Sequence, residues 1–248
     1  MNDTEYHQLA ELEDRLWHFE ALHDHVRRAL TKHKFPPNAA LLDAGCGTGG
    51  LLRKLGRWFP TAQAHGMDFS PLAVEFARQR TPNSIHEGSV TALPFPAASY
   101  DAIISLDVLC QIERAADALA EFSRCLRPGG LAIINVPAYE WLWSYHDDAV
   151  QSHHRFTRSE LKKLFSDAGL QPVYATYWNT FLFPAIVVRR KFLPPPRDGS
   201  SDVREYSPLI SAILRTLLAT ERLWLRTGLT LPFGTSVFVV ARAASKSS

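Results

Sequence analysis

The amino-acid sequence predicts an α/β fold with a doubly wound, mostly parallel seven-stranded sheet, and three observations indicate it. Short apolar segments alternate with helical patterns between about residues 39 and 177, which is typical of βαβ units. A glycine-rich turn stands directly after the first of these segments. A further apolar segment over residues 236–241 adds the last strand. Because 248 residues is the length of one large α/β domain, we expect a single domain over residues 1–248.

The strands and helices of this pattern follow each other closely along the chain. The predicted strands cover residues 39–44, 62–67, 84–87, 100–105, 131–136 and 172–177. The predicted helices cover residues 51–59, 72–79, 115–126 and 160–168, each with apolar positions at the spacing of one helix face. The last helix begins with a capping box formed by Thr157 and Glu160, and Gly169 stands just past its end.

Two helical segments lie outside this alternation. An amphipathic helix over about residues 5–33 carries one apolar stripe, and residues 1–36 are predicted to be an N-terminal helical flank. Residues 179–234 separate the sixth strand from the last one. They hold an apolar and basic stretch (181–192), a proline-rich turn (194–201) and a long helical pattern (208–225), and are predicted to be a helical insert before the last strand.

Charge and composition argue against several classes of protein. The 27 basic and 25 acidic residues give a net charge of +2, which is unlike a nucleic-acid-binding protein with a basic stripe. The longest apolar run, Phe181 to Val188, contains Pro184 and is too short to span a membrane, and the polar N-terminus does not look like a signal peptide. Three cysteines without paired or zinc-like spacing favour a cytoplasmic protein.

The strongest chemical signal is the turn after the first strand, where residues 45, 47, 49 and 50 are all glycine. Glycines allow a sharp turn and a close approach of the backbone to a ligand at a helix N-terminus. Asp68, at the end of the second strand, stands where a carboxylate can accept both hydroxyls of a ribose, so a nucleoside cofactor is predicted. A dinucleotide also fits the spacing, but the carboxylate of Asp43 would repel a pyrophosphate and attract a cation.

The segment Asp43-x-Gly45-x-Gly47-x-Gly49 resembles the first motif of the class I S-adenosylmethionine-dependent methyltransferases. The resemblance extends over about residues 41–171 and the last strand. It implies a Rossmann-like methyltransferase fold and S-adenosyl-L-methionine as the cofactor. The four residues of the motif would then surround the methionine part of that cofactor.

The same resemblance assigns residues to the adenosine and the sulfonium. Asp68 matches the ribose-binding acid of the family, and Phe69 would lie beside the adenine. In the segment Gly88-Ser89-Val90, Ser89 replaces the usual acid, so recognition of adenine would rest on Ser89, Val90 and backbone groups. Asp107, after the fourth strand, would point toward the sulfonium or the methyl acceptor. Its alternative interpretation is a cap for the next helix.

Residues 137–157 follow the fifth strand, so they are expected at the edge of the sheet where ligands bind. Aromatic faces can hold a sulfonium, and histidine is the base best suited to neutral pH. We therefore select as catalytic candidates Tyr139, His146, His153, His154 and Arg155. A solvated loop is the alternative. A metal site at His146, Asp147 and His153 has no support from their spacing, and no metal is expected.

In the topology of the family, the insert at 179–234 begins at the active-site edge of the sheet and is expected to cover the site. Its apolar stretch adjoins Arg189, Arg190 and Lys191, which suits an acyl or isoprenoid substrate with an anionic head, or peripheral membrane contact. A subunit interface, and with it a homodimer, is the alternative.

These observations together predict an S-adenosylmethionine-dependent methyltransferase that acts on a small or lipid-like, anionic molecule and not on nucleic acid. Two other classes stay open. An NAD-type oxidoreductase would fit the glycine spacing, but Asp43 and the missing Tyr-x-x-x-Lys or similar proton donor argue against it. A non-catalytic cofactor-binding scaffold would use the insert as its docking surface.

Overall fold

The computed structural model describes residues 3–33, 36–194 and 206–245 and contains one seven-stranded sheet with the strand order β3-β2-β1-β4-β5-β7-β6. The strands are β1 (Ala40–Ala44), β2 (Gln63–Asp68), β3 (Ser84–Glu87), β4 (Tyr100–Leu106), β5 (Leu126–Pro137), β6 (Leu170–Trp178) and β7 (Ser236–Ala243). Neighbouring strands from β3 to β5 pair in parallel, and β7 runs antiparallel to both β5 and β6. The predicted fold class is confirmed.

Helices cover both faces of this sheet. They are α1 (Asp3–Leu12), α2 (Trp17–Lys32), α3 (Gly50–Trp58), α4 (Pro71–Arg80), α5 (Ala115–Cys125), α6 (Tyr145–Ala149), α7 (Arg158–Asp167), α8 (Phe183–Lys191) and α9 (Pro208–Arg226). Successive strand residues point to opposite faces, so Leu42 packs in the cluster with α5 and α7, and Leu41 packs in the cluster with α2, α3, α4 and α9. Within the described ranges, no helix combines the length and the apolar character that a membrane crossing needs.

The N-terminal segment corrects one expectation, because the single helix predicted over residues 5–33 is two helices. α1 ends at Leu12, and Leu16 adopts an extended conformation before α2 begins. The two carboxylates at the break bind cations elsewhere in the fold: Glu13 pairs with Arg80, and Asp14 pairs with Arg80 and Arg53. Lys34 and Phe35, at the end of the predicted flank, lie outside the described residues.

The insert consists of α8 and α9 in its described parts, and residues 195–205, which include most of the predicted proline-rich turn, lie outside them. A buried carboxylate on α9 holds the insert to the end of β6. Glu221 accepts backbone N–H hydrogen bonds from Asn179, from Thr180 at 2.7 Å and from Phe181 at 3.2 Å. Charge-assisted hydrogen bonds of this kind offset the cost of burying the acid. α9 is therefore fixed relative to the sheet.

Candidate active site

The glycine turn between β1 and α3 is shaped by two close approaches. Gly45 has a φ of +87°, and a Cβ on it would lie 2.1 Å from Cγ2 of Val108 in the loop after β4, so glycine is required there. The carbonyl of Met67 accepts the N–H groups of Gly45 and Cys46 at 2.7 and 2.9 Å. The turn is therefore held against the carboxyl ends of both β2 and β4.

Asp68, the last residue of β2, is part of this turn. Its Oδ2 accepts a hydrogen bond of 2.8 Å from the N–H of Gly47, and its Oδ1 accepts one of 3.0 Å from the N–H of Ser70. Burial raises the pKa of this carboxyl group, and the backbone hydrogen bonds act in the opposite direction. The same carboxylate that orders the turn thus faces the cavity described below, where a ribose would share it.

Asp43 on β1 lies in the same cavity wall and is buried. Burial raises the pKa of Asp43 well above its usual range, and the nearby carboxylates of Asp68 and Glu13 raise it further. A group of acids so close together favours a cationic ligand, because a bound cation relieves their mutual repulsion. S-adenosylmethionine carries such cations in its ammonium and sulfonium groups.

The N-terminal segment covers the glycine turn. Glu13, buried at the break between α1 and α2, accepts a hydrogen bond of 2.6 Å from Oγ1 of Thr48 and pairs with Arg80. A Cβ on Gly50 would lie 2.5 Å from Cδ of Glu13, so only glycine leaves room for this contact. No local signal in the sequence predicts this contact, since Glu13 belongs to a polar stretch that reads as an ordinary helix surface.

One cavity of about 510 Å³ joins the predicted cofactor side to the predicted acceptor side. This volume is in the range of small-molecule sites. The strand ends and the glycine turn form its floor, and α1, α2, α6, α8 and α9 contribute its walls. The predicted site residues that line it are Asp43, Gly45, Gly47, Asp68, Asp107, His146 and Arg155.

The structure does not bring the remaining predicted cofactor residues, all of them described, into the cavity lining. Gly49 is the residue preceding α3, where its φ of +87° and the close Cα of Ala77 require glycine. Phe69 is 79% exposed, and Val90 packs in the core. Ser89 accepts a hydrogen bond of 3.2 Å from the N–H of Thr91. The role of Gly49 toward the methionine part of the cofactor and those of Phe69, Ser89 and Val90 toward adenine stay predictions.

Three predicted catalytic residues also lie outside the cavity lining among the described residues. The ring of Tyr139 stacks on that of Tyr177 at 5.1 Å, which turns it toward β6. His154 Nε2 lies 2.8 Å from Oε1 of Glu160 at the start of α7. The backbone of His153 contacts the loop after β4, where its N–H donates to the carbonyl of Cys110 at 2.6 Å. No group of three or more potential metal ligands comes together in the described part of the chain.

The short helix α6 positions both Arg155 and His146 in the cavity wall. The sequence did not predict this helix. A capping box between Ser144 and Asp147 starts this helix, and Asp147 Oδ1 accepts a hydrogen bond of 2.6 Å from the guanidinium of Arg155. Nε of Arg155 donates to the carbonyl of Ala138 at 2.9 Å. Arg155 is 1% exposed, and its burial lowers the pKa of the guanidinium.

The insert supplies further cations and apolar walls. Arg189 and Arg190 on α8 line the cavity together with Arg155, and the Arg189 guanidinium lies 4.9 Å from the ring centre of Tyr145. The apolar residues contributed by the insert are Leu182, Ala185, Ile186, Ile210 and Leu214. The cavity lining therefore combines carboxylates at the glycine turn with arginines and apolar side chains of the insert.

His18 on α2 is a cavity residue that sequence analysis missed. Its ring stacks on Trp178 at 4.9 Å, and burial, with the nearby Arg190, lowers its pKa to about 4. The imidazole is therefore neutral at physiological pH. In the sequence, His18 stands next to Phe19 of the apolar stripe of the N-terminal helix. This position fits a core residue as well as a cavity residue.

Comparisons with known proteins agree with this architecture. A family described as "Methyltransferase domain" matches residues 42–134. A 24-methylenesterol C-methyltransferase from Oryza sativa is 30% identical over 132 residues, which cover 50% of this chain and 35% of that protein. A demethylmenaquinone methyltransferase from Chlorobaculum parvum is 35% identical over 98 residues, or 39% of this chain and 40% of that protein. The chain thus spans well under two thirds of the length of these curated relatives.

Among solved structures, the geranyl diphosphate C-methyltransferase of Streptomyces coelicolor, in complex with Mg²⁺, geranyl-S-thiolodiphosphate and S-adenosyl-L-homocysteine, has the same fold. The TM-score is 0.62 at 16% identity, over 89% of this chain and 76% of that one. Residues 42–134 match a methyltransferase domain, which supports the predicted resemblance to the class I S-adenosylmethionine-dependent methyltransferases and S-adenosylmethionine as the cofactor.

Proposed function

We propose that the protein transfers the methyl group of S-adenosylmethionine to a small or lipid-like acceptor that carries an anionic group. The observation that carries this proposal is one cavity lined both by the acids at the glycine turn and by the arginines of the insert. The ammonium and sulfonium of the cofactor suit Asp43 and Asp68. The anionic group of the acceptor suits Arg189 and Arg190, since Arg155 is already paired with Asp147.

The apolar part of the cavity lining supports a lipid-like acceptor. Ile186, Ile210 and Leu214 would cover a hydrocarbon chain, and each buried methylene contributes about 0.8 kcal/mol to binding. The names of the three proteins given above contain a sterol, demethylmenaquinone and geranyl diphosphate, all of them compounds with a large apolar part. The arginines add a preference for an acceptor with a phosphate or carboxylate head.

The reaction is an in-line displacement in which the acceptor atom approaches the methyl carbon opposite the sulfur. The residues of this chain contribute mainly by positioning the two reactants and excluding water. The glycine turn and Asp68 fix the cofactor, the insert and Arg190 orient the acceptor, and the N-terminal segment, held by Glu13, closes the cofactor side. In residues 137–157, which we call the acceptor segment, His146 is the histidine that lines the cavity.

We also propose a contact with membranes, through an exposed apolar stripe on α9. Leu209, Ile210, Ile213, Leu217 and Trp224 form this stripe, at the spacing of one helix face. None of the five is charged, and Ile210 also lines the cavity, so the stripe begins at the cavity wall. A lipid-like acceptor would pass from a membrane along this surface into the cavity. A cytoplasmic location is proposed because Cys46, Cys110 and Cys125 are free thiols.

Calorimetry with two matched acceptors tests the proposal. S-adenosylhomocysteine is expected to bind, and NAD is not. With S-adenosylhomocysteine bound, geranyl diphosphate should bind at least about tenfold more tightly than geraniol, which has the same chain without the anionic head, and Arg190→Ala should remove this preference. Equal affinities for the two compounds would overturn the anionic acceptor. Lack of S-adenosylhomocysteine binding would overturn the whole proposal, and binding without turnover on any acceptor would leave the scaffold alternative.

A further inference from the structure

A hydrogen-bond network of three side chains leads from the core of the sheet to the cavity. The indole Nε1 of Trp178, on β6, donates to Oδ1 of Asn135 at 2.7 Å. Nδ2 of Asn135, on β5, donates to Oδ1 of Asp107 at 2.7 Å. Trp178 and Asn135 have no exposed surface, whereas Asp107 lines the cavity. This hydrogen-bond network connects β6 and β5 to the residue that follows β4, although β5 and β6 are not neighbours in the sheet.

The chemistry of the three groups fixes which of them donates and which accepts in this network. An indole N–H can only donate, so the amide oxygen of Asn135 must face Trp178 and its NH2 group must face Asp107. Oδ1 of Asp107 therefore accepts a hydrogen bond whether the carboxyl group is charged or neutral. A proton taken up by Asp107 consequently belongs on the other oxygen, Oδ2.

Asp107 is also held in an unfavourable backbone conformation at this place. Its φ is +58°, which is uncommon for a residue other than glycine, and its N–H donates to the carbonyl of Asn135 at 2.9 Å. It does not cap a helix, because Val108 precedes the single turn over residues 109–111. Asn135 thus binds both the backbone and the side chain of Asp107, next to the point where Val108 meets Gly45.

We propose that Asp107 Oδ2 is the proton acceptor for the methyl acceptor, and that Asn135 and Trp178 are the positioning residues that hold it. This inference rests on the proposed function. In the step, the bond from the methyl carbon to sulfur breaks and its electron pair stays on sulfur. The methyl carbon bonds to the acceptor atom, whose proton passes to Asp107, and S-adenosylhomocysteine and a neutral carboxyl group remain.

The surroundings of Asp107 suit this role. Burial raises its pKa to about 6, near the range in which a general base works best, while Asn135 and the charge of Arg155 lower it. The groups around it come from several elements: Cys110, whose thiol donates to the carbonyl of Asp107, and the cavity residues Asp43, His146 and Asp147. Among these, Asp43 also has a pKa that burial raises, and the variants Asp107→Asn and His146→Gln in the test below separate Asp107 from the other cavity residues.

Trp178 is itself fixed by the N-terminal helix. The ring of His18 stacks on it at 4.9 Å, and the ring of His25 meets it edge-on at 5.1 Å. Burial lowers the pKa of His25 to about 3 and that of His18 to about 4, so both rings are neutral and add no charge next to the hydrogen-bond network. Packing of α2 over the cavity therefore also fixes the residue that orients Asn135.

Two cofactor analogues test the inference without a known acceptor. Sinefungin carries an ammonium group where the transferred methyl lies, and S-adenosylhomocysteine carries nothing there. The preference for sinefungin, measured by calorimetry between about pH 5 and 8, should rise as Asp107 ionises. In Asp107→Asn the preference should not change with pH. His146→Gln should keep the rise, since it leaves Asp107 in place.

The positioning residues are tested by the midpoint of this rise. Asn135→Leu removes the donor to Asp107, so the midpoint should move upward by about one pH unit, the shift expected for loss of one hydrogen bond to a charged group. Trp178→Phe, which keeps the ring and removes its N–H, should move it in the same direction by less and serves if Asn135→Leu does not fold. Asn38→Leu, at an exposed position before β1, is the matched control and should leave the midpoint unchanged.

The outcomes separate this inference from the proposed function. If both analogues bind but their ratio does not depend on pH in the wild-type protein, or if its pH dependence survives in Asp107→Asn, then Asp107 is not the proton acceptor. A midpoint unmoved in both Asn135→Leu and Trp178→Phe would remove their positioning role. Failure of both analogues to bind would instead overturn the proposed function.

Discussion

Oε1 of Glu13 accepts a hydrogen bond of 2.6 Å from the hydroxyl group of Thr48, and this contact joins the N-terminal helices to the glycine turn. Arg80 on α4 binds both partners, since it pairs with Glu13 and donates to Oγ1 of Thr48 at 2.8 Å. All three groups are largely buried, so they attract each other more strongly than surface ion pairs do. The cofactor side of the cavity is therefore closed by polar contacts that can be broken one at a time.

Replacing Glu13 should loosen this closure. In Glu13→Ala, Thr48 loses its acceptor and Arg80 loses a buried partner, a change that typically costs about 3–5 kcal/mol of stability. We expect a lower melting temperature and an affinity for S-adenosylhomocysteine reduced about tenfold, both measured by calorimetry. Glu11→Ala is the control, because Glu11 is exposed and stands only two residues before Glu13. Equal effects of the two substitutions would show that Glu13 does not hold the closure.

Asp68 should matter to the cofactor and to the turn itself. Asp68→Ala removes the acceptor of the Gly47 and Ser70 N–H groups as well as the proposed ribose contact. Charge-assisted hydrogen bonds are worth about 1.5–3 kcal/mol, so S-adenosylhomocysteine should bind about 10- to 150-fold more weakly. Asp117→Ala on α5, where the side chain is 41% exposed and far from the glycine turn in sequence, serves as the control. Unchanged affinity in Asp68→Ala would mean that the ribose lies elsewhere.

These two acids show which parts of the site the sequence could reveal. Asp68 was predictable because the glycine turn and the second strand are adjacent in the chain and their spacing is characteristic of nucleoside sites. Glu13 was not, because its partners stand 35 and 67 residues away and no local pattern pairs them. The same applies to Asn135 and Trp178, 43 residues apart, whose types are ordinary for strands until the sheet brings them together.

The stability of the protein without cofactor should depend on pH through Asp107. Its folded pKa of about 6 lies above the usual value of 3.8, so folding favours the neutral form. The stability that this form contributes is complete below about pH 3.8 and is lost as the pH rises through about 6. Asp107→Asn stays neutral, and asparagine tolerates the positive φ. Its free energy of unfolding should therefore exceed that of the wild type by about 3 kcal/mol near pH 8.

Denaturant unfolding at two pH values measures this difference. Near pH 3 the variant and the wild type should have almost the same free energy of unfolding, because Asp107 is then largely neutral in both the folded and the unfolded wild type. Asp117→Asn on the surface of α5 should change little at either pH. A difference of the same size at both pH values would show that Asp107 is not buried in its charged form.

The histidines of the acceptor segment should differ in their effect on turnover. His146 lines the cavity, whereas His154 is bound to Glu160 outside the lining. Once an acceptor is found, His146→Gln should reduce turnover or raise KM with little change in cofactor affinity, because His146 belongs to the acceptor segment. His154→Gln should keep the turnover of the wild type. The opposite order would mean that the segment rearranges when the acceptor binds.

The exposed stripe on α9 should bind lipid vesicles. Ile213 and Leu217 lie in its centre, one helical turn apart, and are 51% and 36% exposed. Because full burial of such a side chain contributes about 1.5–3 kcal/mol, Ile213→Asp and Leu217→Asp should each weaken sedimentation with phosphatidylglycerol-containing vesicles at least about tenfold. Ala219→Asp carries the same charge on the opposite side of the helix and should bind as the wild type does. If the wild type does not sediment and instead forms a dimer that Leu217→Asp dissociates, a second copy of the chain covers the stripe and the membrane proposal is wrong.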